Sequence, residues 1–153
     1  MKLLLASDHA GLELRRALVD HLRATGLAYE DLGPHGEDPV DYPDLAVQLA
    51  DRVAAEPGED GPLLGVLVCG TGIGMSITAN KIHGVRAALC TSEFEARMSR
   101  GHNDANVLCL GQRVVGIGLA RAILDAFRTT PFEGGRHAVR VDKIRRVETR
   151  PGR

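Results

Sequence analysis

Cys69 stands at the end of an apolar run, Leu63 to Val68, and Gly70, Gly72 and Gly74 follow it at every second position. The run reads as a buried strand, and Met75 to Lys81 reads as a helix. A strand, a glycine turn and a helix point several backbone N–H groups at one spot, with the positive end of a helix dipole behind them. Such a spot takes an anion, either an oxyanion or a phosphate. A thiol placed there ionises more readily than a free one, whose pKa is about 8.5. Thr71 adds a hydroxyl that can hydrogen-bond a substrate oxygen. The spacing is neither the dinucleotide fingerprint G-x-G-x-x-G nor a P-loop, since no Lys-Ser/Thr follows. Cys90 and Cys109 lie inside apolar runs and read as small buried hydrophobes. Cys69 could be a third, but its place at a strand end facing the turn sets it apart.

Three other groups carry polar chemistry. Asp8-His9 follows the first apolar run and is either a helix cap beside a surface histidine or part of the same cleft. His102-Asn103-Asp104 closes a helix. It is either a dipole-stabilised histidine with a polar turn or an acid–base histidine beside an amide that orients substrate. Arg136 and Arg140 share a helix face if Arg136 begins the helix, and Arg113 closely follows a strand. They form either a solvated basic face or a phosphate clamp, for which the guanidinium fork is suited. Lys143, Arg145, Arg146, Arg150 and Arg153 read as a solvated tail. The six histidines show no H-x-x-x-H or H-E-x-x-H spacing, so no metal is expected.

These residues need elements to position them. Lys2 to Ser7 reads as a first strand, and Leu14, Leu18 and Leu22 recur every four residues in a helix ending near Gly26. Ala28 to Leu32 is a second strand, and Gly33 to Pro43 a loop rich in Gly, Pro and Asp. Leu45, Leu49 and Val53 mark a second helix, and Pro57 to Pro62 a polar loop leading into the Cys69 strand. Val85 to Cys90 is a fourth strand. Ser92 and Glu95 have capping-box spacing and open another helix. Val107 to Leu110 is a fifth strand; Leu119, Ile123 and Phe127 mark the next helix. After a loop over Pro131 to Gly135, a last helix begins near Arg136. Alternating helices and strands apolar on both faces predict a parallel sheet covered on two sides. Ligands gather at the carboxyl ends of such strands, where Asp8, His9, Cys69 to Gly74, Thr91 and Ser92 fall.

Composition narrows the function classes. The chain of 153 residues is long enough for one domain with a real core. A net charge of −1 and 3% aromatics argue against nucleic acid or an anionic membrane as partner. Three cysteines without C-x-x-C spacing fit a reducing compartment rather than a disulfide framework. No signal peptide or run of roughly 20 apolar residues is present, so a cytoplasmic protein is expected.

Together the motifs resemble the ribose-5-phosphate isomerase type B family, which includes galactose- and allose-6-phosphate isomerases. The matching pieces are Ser7-Asp8-His9-Ala10-Gly11, Asp41-Tyr42-Pro43, Cys69-Gly70-Thr71-Gly72-Ile73-Gly74, Ala79-Asn80-Lys81, His102-Asn103-Asp104, Gly111-Gln112-Arg113-Val114-Val115-Gly116 and Phe132-Glu133-Gly134-Gly135-Arg136-His137. They keep family order and cover nearly the whole chain. The resemblance implies a Rossmann-like three-layer α/β/α sandwich with a five-stranded parallel sheet over residues 1–153, its C-terminal helix at a subunit interface. It implies cofactor-free and metal-free interconversion of ribose 5-phosphate and ribulose 5-phosphate by a homodimer, which can pair into a tetramer, with shared active sites. Cys69 would move the proton between C1 and C2, His102 would open the sugar ring, and Thr71 would relay a proton between substrate oxygens. Asp8, His9, Tyr42, Gly70, Thr71, Gly72, Ile73, Gly74 and Asn103 would contact the sugar. Arg113, Arg136 and Arg140 would hold the phosphate, some of them from the neighbouring subunit. One family branch uses a glutamate base where this chain has Met75, so this chain looks like the cysteine branch. The loop Glu56 to Pro62 is longer than the family's. Two alternatives stand beside this reading: a hexose 6-phosphate isomerase of the same family, and a sugar-phosphate or nucleotide binding module without chemistry.

Overall fold

A computed structural model describes residues 1–36, 38–55 and 62–149. The elements, in chain order, are β1 (Lys2–Ser7), α1 (Leu12–Ala24), β2 (Tyr29–Asp31), α2 (Tyr42–Ala54), β3 (Leu63–Cys69), α3 (Ile73–Ala79), β4 (Ala87–Leu89), α4 (Glu93–Asn103), β5 (Val107–Gly111), α5 (Ile117–Thr129) and α6 (Arg136–Glu148). A single 3-10 turn, His9–Gly11, joins β1 to α1. The strands form one parallel sheet in the order β2-β1-β3-β5-β4.

Side chains alternate across each strand, so every strand feeds two cores. Leu3, Leu5, Val66, Val68, Leu108 and Leu110 pack under α1, α4 and α5. Leu4, Ala6, Leu67, Cys69, Val107 and Cys109 pack under α2 and α3. The expected three-layer α/β/α sandwich is therefore the one observed, and α6 lies outside it against α4. Cys90 and Cys109 are buried as expected. Burial pushes the Cys90 thiol up to about 11 and raises that of Cys109 well above its usual range.

Three boundaries differ from the sequence reading. Helix α2 begins at Tyr42, inside the expected loop, because Pro43 occupies its first turn, where a backbone N–H has no helical partner to lose. Helix α3 begins at Ile73 and has seven residues. Strand β4 is shortened to three residues because asparagine side chains replace the ladder at its start. Asn106 Oδ1 accepts from the Arg86 N–H at 2.7 Å, and Asn80 exchanges two 2.9 Å bonds with the Ala87 backbone. The capping box at Ser92 and Glu95 forms as its spacing predicts. Most of the Glu56 to Pro62 loop, together with Arg150 and Arg153, lies outside the described residues. Among the described residues, no helix is long and apolar enough to cross a membrane.

In a parallel sheet each connecting helix runs back antiparallel to the strands. The carboxyl end of α4 therefore lies at the amino edge of the sheet, opposite the end where β3 delivers Cys69. That separation governs the site below.

At the β2 edge, Glu30 accepts a bidentate pair from Arg52 (2.6 and 2.9 Å) and a third bond from Lys2 (2.8 Å). These bonds, those of Arg52 foremost, hold its carboxyl at about 2 instead of the usual 4.5. The folded chain thus binds this proton less readily than the unfolded one. The contribution to stability is complete above about pH 4.5 and is lost as pH falls toward 2. Glu30 is about a third exposed, so solvent screening keeps the effect to at most about 1 kcal/mol. Denaturant titrations across pH 2 to 5 should show a shallower acid loss for Glu30→Gln; identical slopes for the two proteins would contradict this assignment.

Candidate active site

The register carries the carboxyl ends of β1, β3 and β5 to one level, with Ser7 beside Val68 and Cys69 beside Gly111. A cleft of about 560 Å³ opens above them. Of the residues expected from sequence, Asp8, His9, Tyr42, Cys69, Gly70, Thr71, Ile73, Gly74 and Arg113 line it, and Ala10 and Ile77 complete the wall.

Cys69 forms part of the floor and is 5% exposed. The N–H of Gly72 donates to its Sγ at 3.1 Å. Gly72 can do this because its φ is +77°, a left-handed turn that favours glycine. A Cβ there would also meet Leu89 Cδ1 at 2.5 Å and the Leu110 carbonyl carbon at 2.9 Å. Gly72 is thus buried beneath the cleft and acts through the sulfur; it does not line the cavity. With only seven residues in α3, its dipole is weaker than the sequence reading assumed, and the individual N–H groups of the turn carry the electrostatics. Met75 is fully buried in the α2–α3 core, so a carboxylate at that position has no counterpart in this site.

The other glycines make room for the rim. A Cβ on Gly70 would touch the Arg113 guanidinium at 3.6 Å, so that cation lies across the turn. The Arg113 N–H donates to the Gly70 carbonyl at 3.0 Å, and the Gln112 N–H to that of Cys69 at 2.9 Å, lacing β5 to β3. A Cβ on Gly74 would sit 2.6 Å from the Tyr42 ring. Thr71 is exposed, and its Oγ1 accepts from the Ile73 N–H at 3.3 Å, leaving the hydroxyl proton free for a ligand oxygen. Asp8 is 6% exposed and accepts from the Gly11 N–H at 3.0 Å, so it caps the 3-10 turn and faces the cleft at once. Gly11 is required here, since a Cβ would lie 2.5 Å from the Val68 carbonyl oxygen.

His102, Asn103, Arg136 and Arg140 do not line this cleft. His102 ends α4 and meets the start of α6 at the opposite edge of the sheet, where its ring stacks on His137 with centroids 4.1 Å apart. Glu133 lies against both rings, and Arg136 Nε donates to His137 Nε2 at 3.4 Å. Arg136 is the first residue of α6, the condition for Arg136 and Arg140 to share a face. Asn103 lines a separate cavity of about 240 Å³ with Asn80 and Arg86. The expected residues therefore fall into two groups, divided by the length of a seven-residue strand, roughly 20 Å.

His102, Glu133 and His137 place three ligand atoms within 4.8 Å of one another, a cluster that sequence spacing could not reveal. A metal must lie in the plane of each imidazole it binds. Rings stacked 4.1 Å apart and 4° from parallel lie in planes that do not meet near the pair, so no nearby point lies in both.

Sequence reasoning also passed over Arg15. It is 1% exposed on α1, donates to Ser7 Oγ at 3.0 Å, and pairs with Asp31 and the Pro34 carbonyl. It braces the strand end that carries Asp8. Its signal was an arginine sharing the buried helix face with Val19 and Leu22.

The Ribose/Galactose Isomerase family model matches residues 3–144. The chain belongs to this family. It is 45% identical over 150 residues to ribose-5-phosphate isomerase B of Escherichia coli, covering 97% of each chain. The solved ribose-5-phosphate isomerase B of Clostridium thermocellum superposes with a TM-score of 0.91 at 48% identity, covering 97% of both chains. The Mycoplasma genitalium enzyme, solved with bound ribulose-5-phosphate, gives 0.89 at 44% identity over 96% of this chain and 95% of that one.

The contact between Gly74 and Tyr42 is directly testable. Gly74→Ala should cost about 1–3 kcal/mol of stability through overpacking. In a Tyr42→Ala background most of that cost should vanish, because the clash has been removed. Equal costs in both backgrounds, measured by denaturant unfolding, would contradict the contact.

Proposed function

We propose that this chain interconverts ribose 5-phosphate and ribulose 5-phosphate through an enediolate, with Cys69 as the base. One observation carries the reading: a cysteine sulfur at the cleft floor receives a backbone N–H, with a guanidinium on the rim. A proton α to a carbonyl is very weakly acidic, so its removal needs a positioned base and donors for the enediolate oxygens. In this reading the sulfur takes the C2 proton of the open aldose and returns it to C1. Thr71 carries a proton between the two substrate oxygens, and N–H groups of the Gly70–Gly74 turn stabilise their charge. Asp8, His9 and Tyr42 orient the sugar.

Ring opening needs a second group, and His102 takes that role by giving a proton to the ring oxygen. It cannot reach the Cys69 of its own chain, because α4 ends at the other edge of the sheet. We infer a homodimer in which each subunit brings His102, Asn103, Arg136 and Arg140 to its partner's cleft, with α6 at the interface. Arg113 then grips the phosphate from one side, and the partner's Arg136 and Arg140 from the other. Exposed Ile73, Ile77, Leu89 and Phe94 near the rim give such an interface apolar surface. Three free cysteines fit a reducing compartment such as the cytoplasm.

Turnover of ribose 5-phosphate, allose 6-phosphate and galactose 6-phosphate by the purified chain tests the substrate. Ribose 5-phosphate should be preferred, and turnover of none would overturn the reading. Cys69→Ala should abolish isomerisation while leaving phosphate affinity within a few-fold, and Arg136→Ala or Arg140→Ala should chiefly raise KM. Shared sites make a sharper forecast. Inactive Cys69→Ala and His102→Asn proteins, unfolded together and refolded, should recover about one quarter of the unsubstituted activity, since half the dimers then hold one intact site. No recovery from refolded, dimeric mixtures would refute sharing.

A further inference from the structure

His102 and His137 come from different elements, yet their rings stack at 4.1 Å and 4° from parallel. Two imidazolium ions at that distance repel, so the pair holds one proton more readily than two. The neighbours decide which ring takes it. His137 is 6% exposed, and its Nε2 accepts from Arg136 Nε. Burial first, then His102, Arg136 and Arg140, hold His137 below its ordinary value, against the pull of Glu133.

Glu133 occupies the junction. Its Oε2 is 3.7 Å from His102 Nε2 and 3.6 Å from His137 Nε2. Its backbone N–H donates to the Gly101 carbonyl at 3.0 Å, pinning the loop between α5 and α6 to the last turn of α4. Gly101 leaves space for the carboxylate, since a Cβ there would lie 3.0 Å from Oε1. The other charged groups acting on His137, Arg136 and Arg140 on α6, are cations. Among the described residues, Glu133 is the one carboxylate in ion-pair contact with either ring.

We propose that Glu133 is a positioning residue for ring opening: it braces the stacked pair and sets a carboxylate countercharge beside the His102 ring. The inference rests on the isomerase reading above. In that step His102 gives its proton to the ring oxygen as the C1–O4 bond breaks. The bonding electrons stay on O4, the C1 hydroxyl proton passes to solvent, and the aldehyde forms. Without Glu133 the ring pair would have no carboxylate in ion-pair contact among the described residues, only the Arg136 and Arg140 guanidinium groups beside His137.

The test compares the unsubstituted protein with Glu133→Gln and Glu133→Asp. Imidazole titrations followed by NMR should show the His102 midpoint moving to lower pH in Glu133→Gln and returning most of the way in Glu133→Asp. On ribose 5-phosphate, kcat/KM should fall about tenfold in Glu133→Gln, with its alkaline limb moved to lower pH. The 4-deoxy analogue, which cannot close a furanose ring, should lose less than threefold. An unmoved His102 titration, or equal losses on both substrates with an unmoved limb, would overturn the proposal. If the unsubstituted chain turned over no sugar phosphate, the isomerase reading would fall, and with it the catalytic part of this inference. The NMR arm would still decide the Glu133 contact.

Discussion

The structure turns on the left-handed Gly72. Its backbone must fold flat against the end of β5, because Leu89 and Leu110 leave no space for a side chain. Only in that position does its N–H meet the Cys69 sulfur. The same fold-back puts Thr71 over Gly111, where a Cβ would meet the Thr71 backbone at 2.6 Å, and lets Arg113 lie across Gly70. A single steric constraint thus supplies the sulfur's donor, the exposed hydroxyl and the rim cation. Cys109, on the neighbouring strand and the same face of the sheet, is fully buried away from the cleft, and desolvation there opposes ionisation of its thiol.

The second governing fact is the polarity of the sheet. A parallel sheet delivers strand ends to one edge and returning helix ends to the other. Cys69 belongs to the first class and His102 to the second. The reaction proposed here needs both a carbon base and a ring-opening acid, and one copy of this topology keeps them apart. Under that proposal two copies must assemble before the acid of one meets the base of the other.

Much of this was legible in the sequence because local rules applied. Alternating glycines after an apolar run, the Ser92–Glu95 spacing and the basic pair beginning at Arg136 each name a local geometry, and each forms. What stayed hidden depends on chain segments distant in sequence. No spacing rule connects His102 to Glu133 and His137, which meet only because a loop after α5 docks on the last turn of α4. Arg15 reads as one more polar residue until Ser7, Asp31 and Pro34 close around it. The start of α2 was misplaced because proline breaks helix interiors yet suits a first turn. The two-edged placement of the site follows from topology, which the alternation of elements implied without showing which side chains it would separate.

The central claim is that isomerisation runs through the Cys69 sulfur. Timed alkylation with iodoacetamide, read in parallel by peptide mass spectrometry and residual activity on ribose 5-phosphate, tests it most directly. Loss of activity should track modification of Cys69 one for one, with Cys90 and Cys109 unmodified and ribulose 5-phosphate slowing both. Full activity in protein carrying the adduct on Cys69 would contradict the account.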